Sequence, residues 1–253
     1  MKDRTRLLEL SVPASFKNAR PGQFVHVRIE NSCDPLLRRP MSIHDAAPGR
    51  LKILYEVVGK GTELLSGKNT KATIDILGPL GRGFDVKRLA RFKKIYIVAG
   101  GMGVAPLLFL AKKLVHSPRS TVHGRPTVLI GARTKGQLLG VKEFKKLGCS
   151  VKLATDDGSR GFKGNVTELL NKILLSTVDR GPSTICACGP RAMLAATAQI
   201  ARRHHVPAEI SLEEFMGCGL GACLGCVVRT TAGYRRICHD GPVFDAQEVL
   251  WEA

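Results

Sequence analysis

Four cysteines near the carboxyl end of the chain have the spacing that a metal cluster requires. Cys218, Cys223, Cys226 and Cys238 follow the pattern C-x4-C-x2-C-x11-C. The first three share the spacing of plant-type [2Fe-2S] proteins. A tight loop can deliver three thiolates from one segment, and glycine favours such a loop because it adopts positive φ and has no Cβ to collide with a cluster. The interleaved glycines are Gly217, Gly219, Gly221 and Gly225.

Three other interpretations of these cysteines remain open. A zinc site also uses four thiolates, although zinc ribbons favour C-x2–4-C pairs on separated knuckles. Disulfides belong to oxidising compartments, which no feature of the sequence indicates. Buried cysteines can also cluster by chance. The pattern favours the iron–sulfur interpretation over these three.

A second motif, Gly100-Gly-Met-Gly-Val-Ala-Pro106, lies where a buried apolar run gives way to a helical pattern. A helix N-terminus there would offer free N–H groups and partial positive charge to a pyrophosphate. The motif is not G-x-G-x-x-G, and a purely structural turn is the alternative, but its position after a strand favours phosphate binding. The candidate residues are Gly100, Gly101, Gly103 and Pro106.

Three shorter motifs are weaker on their own. Arg39-Pro-Met-Ser42 could offer an arginine to a phosphate and a hydroxyl to a ring nitrogen, but a surface arginine and a turn proline are common. Gly61-Thr62 is weaker still. Cys188-Gly-Pro190 closes a predicted strand at the carboxyl edge of a sheet, where ligands bind in α/β folds. The alternative for that motif is a buried cysteine followed by a proline that starts a helix.

The elements that must position these motifs divide the chain into three predicted domains. Residues 1–90 contain short alternating runs between Gly/Pro turns, which predicts an all-β antiparallel barrel. Residues 91–213 alternate strand and helix, which predicts a doubly wound parallel α/β domain. Residues 214–253 carry the cysteine loop. The predicted strands cover residues 24–29, 51–58, 72–77, 94–99, 126–131, 151–155, 184–188 and 208–212, with helices near 107–114, 141–147, 165–174 and 190–205.

Length and composition fit an ordinary globular protein. The 253 residues allow about two domains with a sizeable core. We expect no signal peptide, because the amino-terminal residues lead directly into an amphipathic stretch. The longest uncharged run, residues 95–111, is broken by three glycines and a proline and is too short to span a bilayer. We therefore expect a cytoplasmic protein with reduced cysteines.

The formal net charge of +18 raises the question of nucleic-acid binding. Aromatic residues make up only 5% of the chain, so stacking platforms are scarce. The basic residues are also spread along the sequence. A positive field serves phosphate-bearing cofactors or an acidic protein partner equally well. We expect neither nucleic acid nor a membrane as a partner.

The order of the motifs resembles the ferredoxin–NADP reductase superfamily. In that superfamily an antiparallel barrel binds flavin and an α/β domain binds a nicotinamide nucleotide. The cysteine tail, with Ser211-Leu-Glu-Glu214 before it and Cys238-His-Asp-Gly-Pro-Val-Phe-Asp245 at its end, narrows the resemblance. It is similar to the family of electron-transfer subunits of the two-subunit, NAD-linked dihydroorotate dehydrogenase, and the resemblance covers nearly the whole chain.

This resemblance implies FAD, a [2Fe-2S] cluster and NAD as cofactors, and it implies a role for each candidate residue. The chain holds no implied catalytic residue of its own. FAD would contact Arg39 through its phosphates and Ser42 near the isoalloxazine, with Pro40 and Met41 between them. The remaining implied contacts are Leu54, Tyr55 and Glu56 along the flavin; Gly61 and Thr62 at its pyrophosphate; Gly100, Gly101, Gly103 and Pro106 at the NAD pyrophosphate; Cys188, Gly189 and Pro190 at the nicotinamide; and Cys218, Cys223, Cys226 and Cys238 on the cluster.

The implied function is electron transfer in de novo pyrimidine (UMP) biosynthesis. Electrons from dihydroorotate, oxidised at an FMN in a separate catalytic subunit, would pass through the cluster and FAD to NAD+. The implied assembly is a heterotetramer with two subunits of each kind. The chain has no predicted dihydroorotate site and no (β/α)8 pattern, so it should not oxidise dihydroorotate by itself.

Two rival functions and one ambiguity stand beside this one. Another FAD and iron–sulfur reductase, serving ferredoxin, a hydrogenase or a second flavoenzyme, would share every motif. A non-enzymatic zinc-bearing binding module is the rival from a different class. The second α/β strand ends at Arg133 without an acidic residue, whereas Asp156 and Asp157 follow the third. The residues alone therefore leave NAD and NADP both open.

Overall fold

The computed structural model describes residues 4–117, 124–177 and 181–251. The outer ends of the first and third predicted domains, residues 1–3 and 252–253, lie outside the described residues. The described chain contains an antiparallel sheet, a mixed sheet and a short hairpin. This architecture confirms the predicted combination of an all-β part with an α/β part.

A five-stranded antiparallel sheet forms the amino-terminal part. Its strands are β1 (Thr5–Ser11), β2 (Phe24–Val27), β3 (Arg39–Ala47), β4 (Arg50–Glu56) and β5 (Ile76–Leu80), in the order β1-β4-β3-β2-β5. Alternate side chains are buried, as Ile43 and Ile53 show, because successive residues of a strand point to opposite faces. The strand predicted at 72–77 starts only at Ile76, because the N–H of Ala72 closes a turn onto the oxygen of Asn69 at 3.1 Å.

The remaining strands build a seven-stranded sheet and a hairpin. They are β6 (Lys94–Gly100), β7 (Thr127–Ala132), β8 (Ser150–Thr155), β9 (Phe162–Lys163), β10 (Ser183–Cys188), β11 (Ala208–Ser211), β12 (Val227–Thr230), β13 (Gly233–Arg236) and β14 (Val243–Asp245). The large sheet has the order β14-β11-β10-β6-β7-β8-β9, and β12 pairs with β13. Its neighbours are parallel except for β11 and β14. The five predicted α/β strands are confirmed, whereas β9 and β14 were not predicted because two or three residues carry no periodic signal.

The helices connect these strands and cover the sheet. They are α1 (Lys60–Ser66), α2 (Val86–Leu89), α3 (Val104–Val115), α4 (Val141–Lys146), α5 (Val166–Ser176) and α6 (Arg191–Arg203). The predicted cap of α5 is confirmed, because Asn165 Oδ1 accepts the N–H of Glu168 at 2.9 Å and Asn165 Nδ2 donates to the Glu168 carboxylate at 2.8 Å. Within the described ranges, no helix has the length and apolar character needed to cross a membrane.

The cysteine segment packs directly on the α/β sheet. Cys226, Ile237 and Cys238 belong to the same hydrophobic core as Val98 and Ile210, which lie on central strands of the large sheet. The segment then returns to that sheet through β14, which pairs antiparallel with β11. The core of the α/β sheet therefore holds the cysteine segment in place.

Candidate functional site

The cysteine loop lies between β11 and β12, and Cys238 follows β13 on a turn. Cys223 is exposed and Cys218 is half-buried, whereas Cys226 and Cys238 are buried. Backbone N–H groups point at the sulfurs: Leu220 donates to Cys218 Sγ at 3.3 Å and Gly221 donates to Cys238 Sγ at 3.1 Å. Gly221 has a φ of +83°, a conformation that L side chains rarely adopt. A glycine is therefore needed at position 221, where the backbone turns its N–H toward the sulfur of Cys238.

Backbone-to-sulfur hydrogen bonds link the four cysteines in two pairs. The N–H of Cys223 lies 3.5 Å from Cys218 Sγ, and the N–H of Cys238 lies 3.4 Å from Cys226 Sγ. A [2Fe-2S] cluster, in which each iron takes two thiolates, fits this pairing.

The environment prepares these cysteines unequally for metal binding. Hydrogen bonds from the N–H groups of Cys223 and then Leu220 lower the pKa of the Cys218 thiol to about 6. Burial raises the pKa of the Cys238 thiol to about 12. Cys218 is therefore mostly a thiolate at neutral pH, whereas Cys238 needs a bound cation to lose its proton.

An arginine–aspartate pair ties the turn of Cys238 to the cysteine loop. Arg236 Nε donates to Asp240 Oδ2 at 3.1 Å, and Arg236 Nη1 donates to the carbonyl of Gly221 at 3.1 Å. The Arg236 guanidinium holds the pKa of the Asp240 carboxyl well below its usual range. This pair was not predicted from the sequence, although its two residues flank Cys238.

The glycine turn and the Cys188 turn meet at the carboxyl edge of the large sheet. Cys188 on β10 lies opposite Ala99 on β6. A Cβ on Gly103 would overlap the backbone carbonyl of Cys188, so this glycine is required by packing. Gly101 is exposed and has no atom within 4 Å of the position that its Cβ would take. The exposed backbone in front of α3 suits a phosphate. Gly103, in contrast, is a glycine because it packs against the backbone of Cys188.

Cys188 itself is buried. Its Sγ lies 4.0 Å from an oxygen of Glu213, which follows β11. Burial, followed by the nearby Glu213, raises the pKa of this thiol well above its ordinary value. Cys188 is therefore a neutral thiol at this edge. This contact places Glu213 beside the predicted nicotinamide turn. The sequence pointed to the motif Ser211-Leu-Glu-Glu214 but gave Glu213 no role of its own.

The predicted flavin residues gather at β3, β4 and α1. The Arg39 guanidinium packs over Gly61, where a Cβ would lie 3.2 Å from Arg39 Nε. Thr62 Oγ1 accepts the N–H of Val58 at 2.9 Å and stabilises the start of α1. Arg39 and Gly61 therefore lie against each other at the start of α1, with the guanidinium over the glycine backbone. Pro40, Ser42 and Leu54 are half-buried, Glu56 is exposed, and Met41 and Tyr55 face the hydrophobic core.

The site and the fold together define an iron–sulfur reductase of the ferredoxin–NADP reductase class. Residues 213–250 match the family model described as the iron–sulfur cluster binding domain of dihydroorotate dehydrogenase B. Residues 97–199 match the oxidoreductase NAD-binding domain. The chain is 41% identical to the dihydroorotate dehydrogenase B (NAD(+)) electron transfer subunit of Desulforamulus reducens, across 98% of this chain and 93% of that protein.

A second curated relative gives the same result. The electron transfer subunit of Bacillus caldolyticus is 41% identical across 98% of this chain and 93% of that protein. The chain therefore belongs to the family of dihydroorotate dehydrogenase B (NAD(+)) electron transfer subunits.

Solved structures show the same fold. An NADH-dependent reduced ferredoxin–NADP oxidoreductase, studied for flavin-based electron bifurcation, superimposes with a TM-score of 0.84 at 34% identity and covers 98% of this chain and 86% of that one. A ferredoxin–NADP+ reductase of Neisseria gonorrhoeae with bound FAD and NADP has a TM-score of 0.63 at 17% identity and covers 79% of this chain and 85% of that one. The second likeness concerns the fold alone.

Proposed function

We propose that this chain is the electron-transfer subunit of an NAD-linked dihydroorotate dehydrogenase and delivers electrons from a partner catalytic subunit to NAD+ in pyrimidine biosynthesis. The observation that carries the proposal is that one chain combines three features. They are an antiparallel sheet with the predicted flavin residues, an exposed glycine turn before α3, and a loop with four cysteines. The 41% identical relatives, of which the chain covers 93%, support it.

We assign the cofactors to three segments. Residues 1–90 would bind FAD, residues 91–213 the nicotinamide nucleotide, and residues 214–253 the cluster, consistent with family matches at 97–199 and 213–250. When bound, nicotinamide exchanges hydride, a [2Fe-2S] cluster exchanges single electrons, and flavin exchanges either.

The residues of the chain bind and orient these groups. Arg39 would hold FAD phosphates beside Gly61, and the N-terminus of α3 would hold the nicotinamide nucleotide pyrophosphate. Cys218 with Cys223, and Cys226 with Cys238, would each hold one iron. We propose the other flavin and nucleotide contacts named in the sequence analysis because the same family resemblance implies them.

The surface around the cysteine loop supports a partner docked there. Phe215 is 94% exposed, and Leu220 and Leu224 are more than half exposed. Exposed apolar side chains gathered on one segment mark protein–protein contact surfaces. The FMN-containing catalytic subunit would cover this surface, and the loop would be its electron entry point.

We place the protein in the cytoplasm. All eight cysteines are free thiols, including the four of the cysteine segment. Free thiols and a thiolate-bound cluster suit a reducing compartment.

The test is an anaerobic absorption spectrum of the purified chain before and after NADH is added. We expect flavin bands with an iron–sulfur shoulder, bleached by NADH. Mixing with the catalytic subunit should then yield NADH from dihydroorotate and NAD+. A colourless, zinc-bearing protein that stays so after cofactor reconstitution would overturn the proposal, as would a chain that oxidises dihydroorotate alone.

One rival has a specific observation in its favour. The 34% identical solved relative is an NADH-dependent reduced ferredoxin–NADP oxidoreductase. A chain of that kind would exchange electrons with reduced ferredoxin and would not respond to the dihydroorotate-oxidising subunit. The same mixing experiment therefore separates the two functions.

A further inference from the structure

His26 on β2 is a completely buried polar side chain, with an exposed fraction of 0%. Both of its ring nitrogens are buried without a hydrogen-bond partner of good geometry among the described residues. Buried polar groups are nearly always paired, so such an imidazole requires an explanation. No role proposed above uses it.

The imidazole lies on the same face of the sheet as two of the predicted flavin residues, Pro40 and Ser42. His26 pairs with Pro40 across β2 and β3, and Phe24 pairs with Ser42. Directly opposite residues of antiparallel strands share a face. His26 therefore lies beside the strand that carries the Arg39–Ser42 motif.

The other side of the imidazole meets the cysteine loop. A Cβ on Gly219 would lie 2.5 Å from His26 Nδ1 and 3.1 Å from its Cγ, so the glycine backbone rests on the ring. Gly219 is adjacent to Cys218, whose backbone also faces the imidazole. One side chain thus touches both the flavin strand and the turn that carries a cluster ligand.

Burial is the largest cause that lowers the pKa of His26, and the charges of Arg38 and Arg39 lower it further. The backbone contacts with Cys218 and Arg38 act in the opposite direction.

We propose that His26 is a positioning residue that seats the Cys218–Gly219 turn on β2 and thereby sets the separation between the cluster and the flavin. This inference rests on the proposed function, because it assigns a role in electron passage between those two groups. The proposal is based on the contact between His26 and Gly219, two residues that are far apart in the sequence.

The test displaces the turn from the ring and measures two electron-transfer rates separately. Gly219→Ala places a methyl group against His26, at a φ of +71°. Gly233→Ala is the matched control, because Gly233 has a φ of +91° in the same segment and no atom within 4 Å of its Cβ position. The control therefore carries the backbone strain without the contact. Both variants are used as full chains loaded with FAD and cluster.

Stopped-flow mixing with NADH distinguishes the steps. NADH delivers two electrons to the flavin as a hydride; one of them then moves to the oxidised cluster, no bond is broken in that second step, and the other electron stays on the flavin. We expect Gly219→Ala to slow cluster reduction several-fold, because the rate of electron transfer falls steeply as the donor and the acceptor move apart. Flavin reduction by NADH should be unchanged, and Gly233→Ala should behave as the unmodified chain.

A second variant separates positioning from general damage. His26→Ala should also slow cluster reduction. The double variant, His26→Ala with Gly219→Ala, should be no slower than the slower single variant, because the added methyl group acts through the ring that His26→Ala removes. Multiplying effects, or a Gly219→Ala chain that reduces its cluster at the normal rate, would overturn the inference. Iron content and the electron paramagnetic resonance spectrum of the dithionite-reduced cluster show whether the cluster itself is intact. If the unmodified chain bound neither FAD nor the cluster, the proposed function itself would be wrong. If the unmodified chain bound both and reduced its cluster at the same rate as Gly219→Ala, only the positioning role of His26 would be wrong.

Discussion

His44 Nδ1 donates a hydrogen bond to the main-chain oxygen of Ala105 at 3.0 Å. His44 lies on β3, just after the predicted flavin motif, and Ala105 lies in the first turn of α3, just after the glycine turn. An ion pair between Lys112 and Asp45 at 2.7 Å runs parallel to it. The flavin strand and the nucleotide helix are therefore held against each other by side chains of both parts.

We expect His44→Phe to lower the free energy of unfolding by about 0.5–1.5 kcal/mol, because a buried hydrogen bond to the carbonyl of Ala105 is lost. His116→Phe is the matched control. His116 Nδ1 also donates to a helix carbonyl, that of Lys112 at 2.7 Å, but this residue is exposed. Its loss should cost no more than about 0.5 kcal/mol. Urea denaturation measures both, and equal losses would contradict the role of the His44 contact.

The same histidine should make stability depend on pH. Burial lowers the pKa of His44 below 6.5, with Asp45, Lys52 and Glu143 as the charged neighbours. Between the folded pKa and 6.5 the unfolded chain binds more protons, so stability falls as the pH falls through that range. The stability difference between the unmodified chain and His44→Phe should therefore shrink from about pH 8 to about pH 5.5. A constant difference across that range would mean that His44 does not titrate in the unfolding reaction.

Replacing a cluster cysteine should remove the cluster without unfolding the rest of the chain. Cys223→Ser is suitable because Cys223 is exposed, and Cys33→Ser is the control because Cys33 is also an exposed free thiol. We expect nearly complete loss of bound iron and sulfide in the first variant and about two irons per chain in the second. Metal analysis and visible absorption measure this. One zinc per unmodified chain would instead support a mononuclear site.

Arg236→Gln should make the cluster labile. The guanidinium joins the turn of Cys238 to the loop through Gly221, so its loss frees the two ligand segments from each other. We expect iron release to a chelator to accelerate about tenfold, the equivalent of about 1.4 kcal/mol. Arg235→Gln controls for loss of charge, because Arg235 is the exposed neighbour on the same strand. Equal release rates in both variants would exclude the proposed clamp.

Arg39→Gln should weaken FAD binding by about ten- to a hundredfold, because a hydrogen bond to a charged group contributes about 1.5–3 kcal/mol. Fluorescence titration of the flavin-free chain gives the dissociation constant. Arg50→Gln is the control, since Arg50 is an exposed arginine of the same sheet that pairs with Glu9 at 3.7 Å. FAD affinity that is insensitive to Arg39 would place the flavin elsewhere.

The sequence alone predicted those features that local patterns encode. Alternation predicted β2, β4 and the start of β5 in the first part but not β1 or β3. Unbroken apolar runs predicted the central strands of the second part, because the period of side-chain burial is a property of each segment. The cysteine loop was predicted because three candidate ligands lie within one short stretch. Asn165 with Glu168 was predicted because a helix cap involves residues three positions apart.

Only the tertiary structure decided which distant residues meet. It placed β14 beside β11, brought Gly103 against Cys188, paired Cys226 with Cys238, and laid Gly219 on His26. None of these contacts leaves a local period, because the partners are far apart in the chain and are joined by the packing of whole elements. The sequence therefore determined the chemistry available to this protein, and the folding of the cysteine segment onto both sheets determined how that chemistry is positioned.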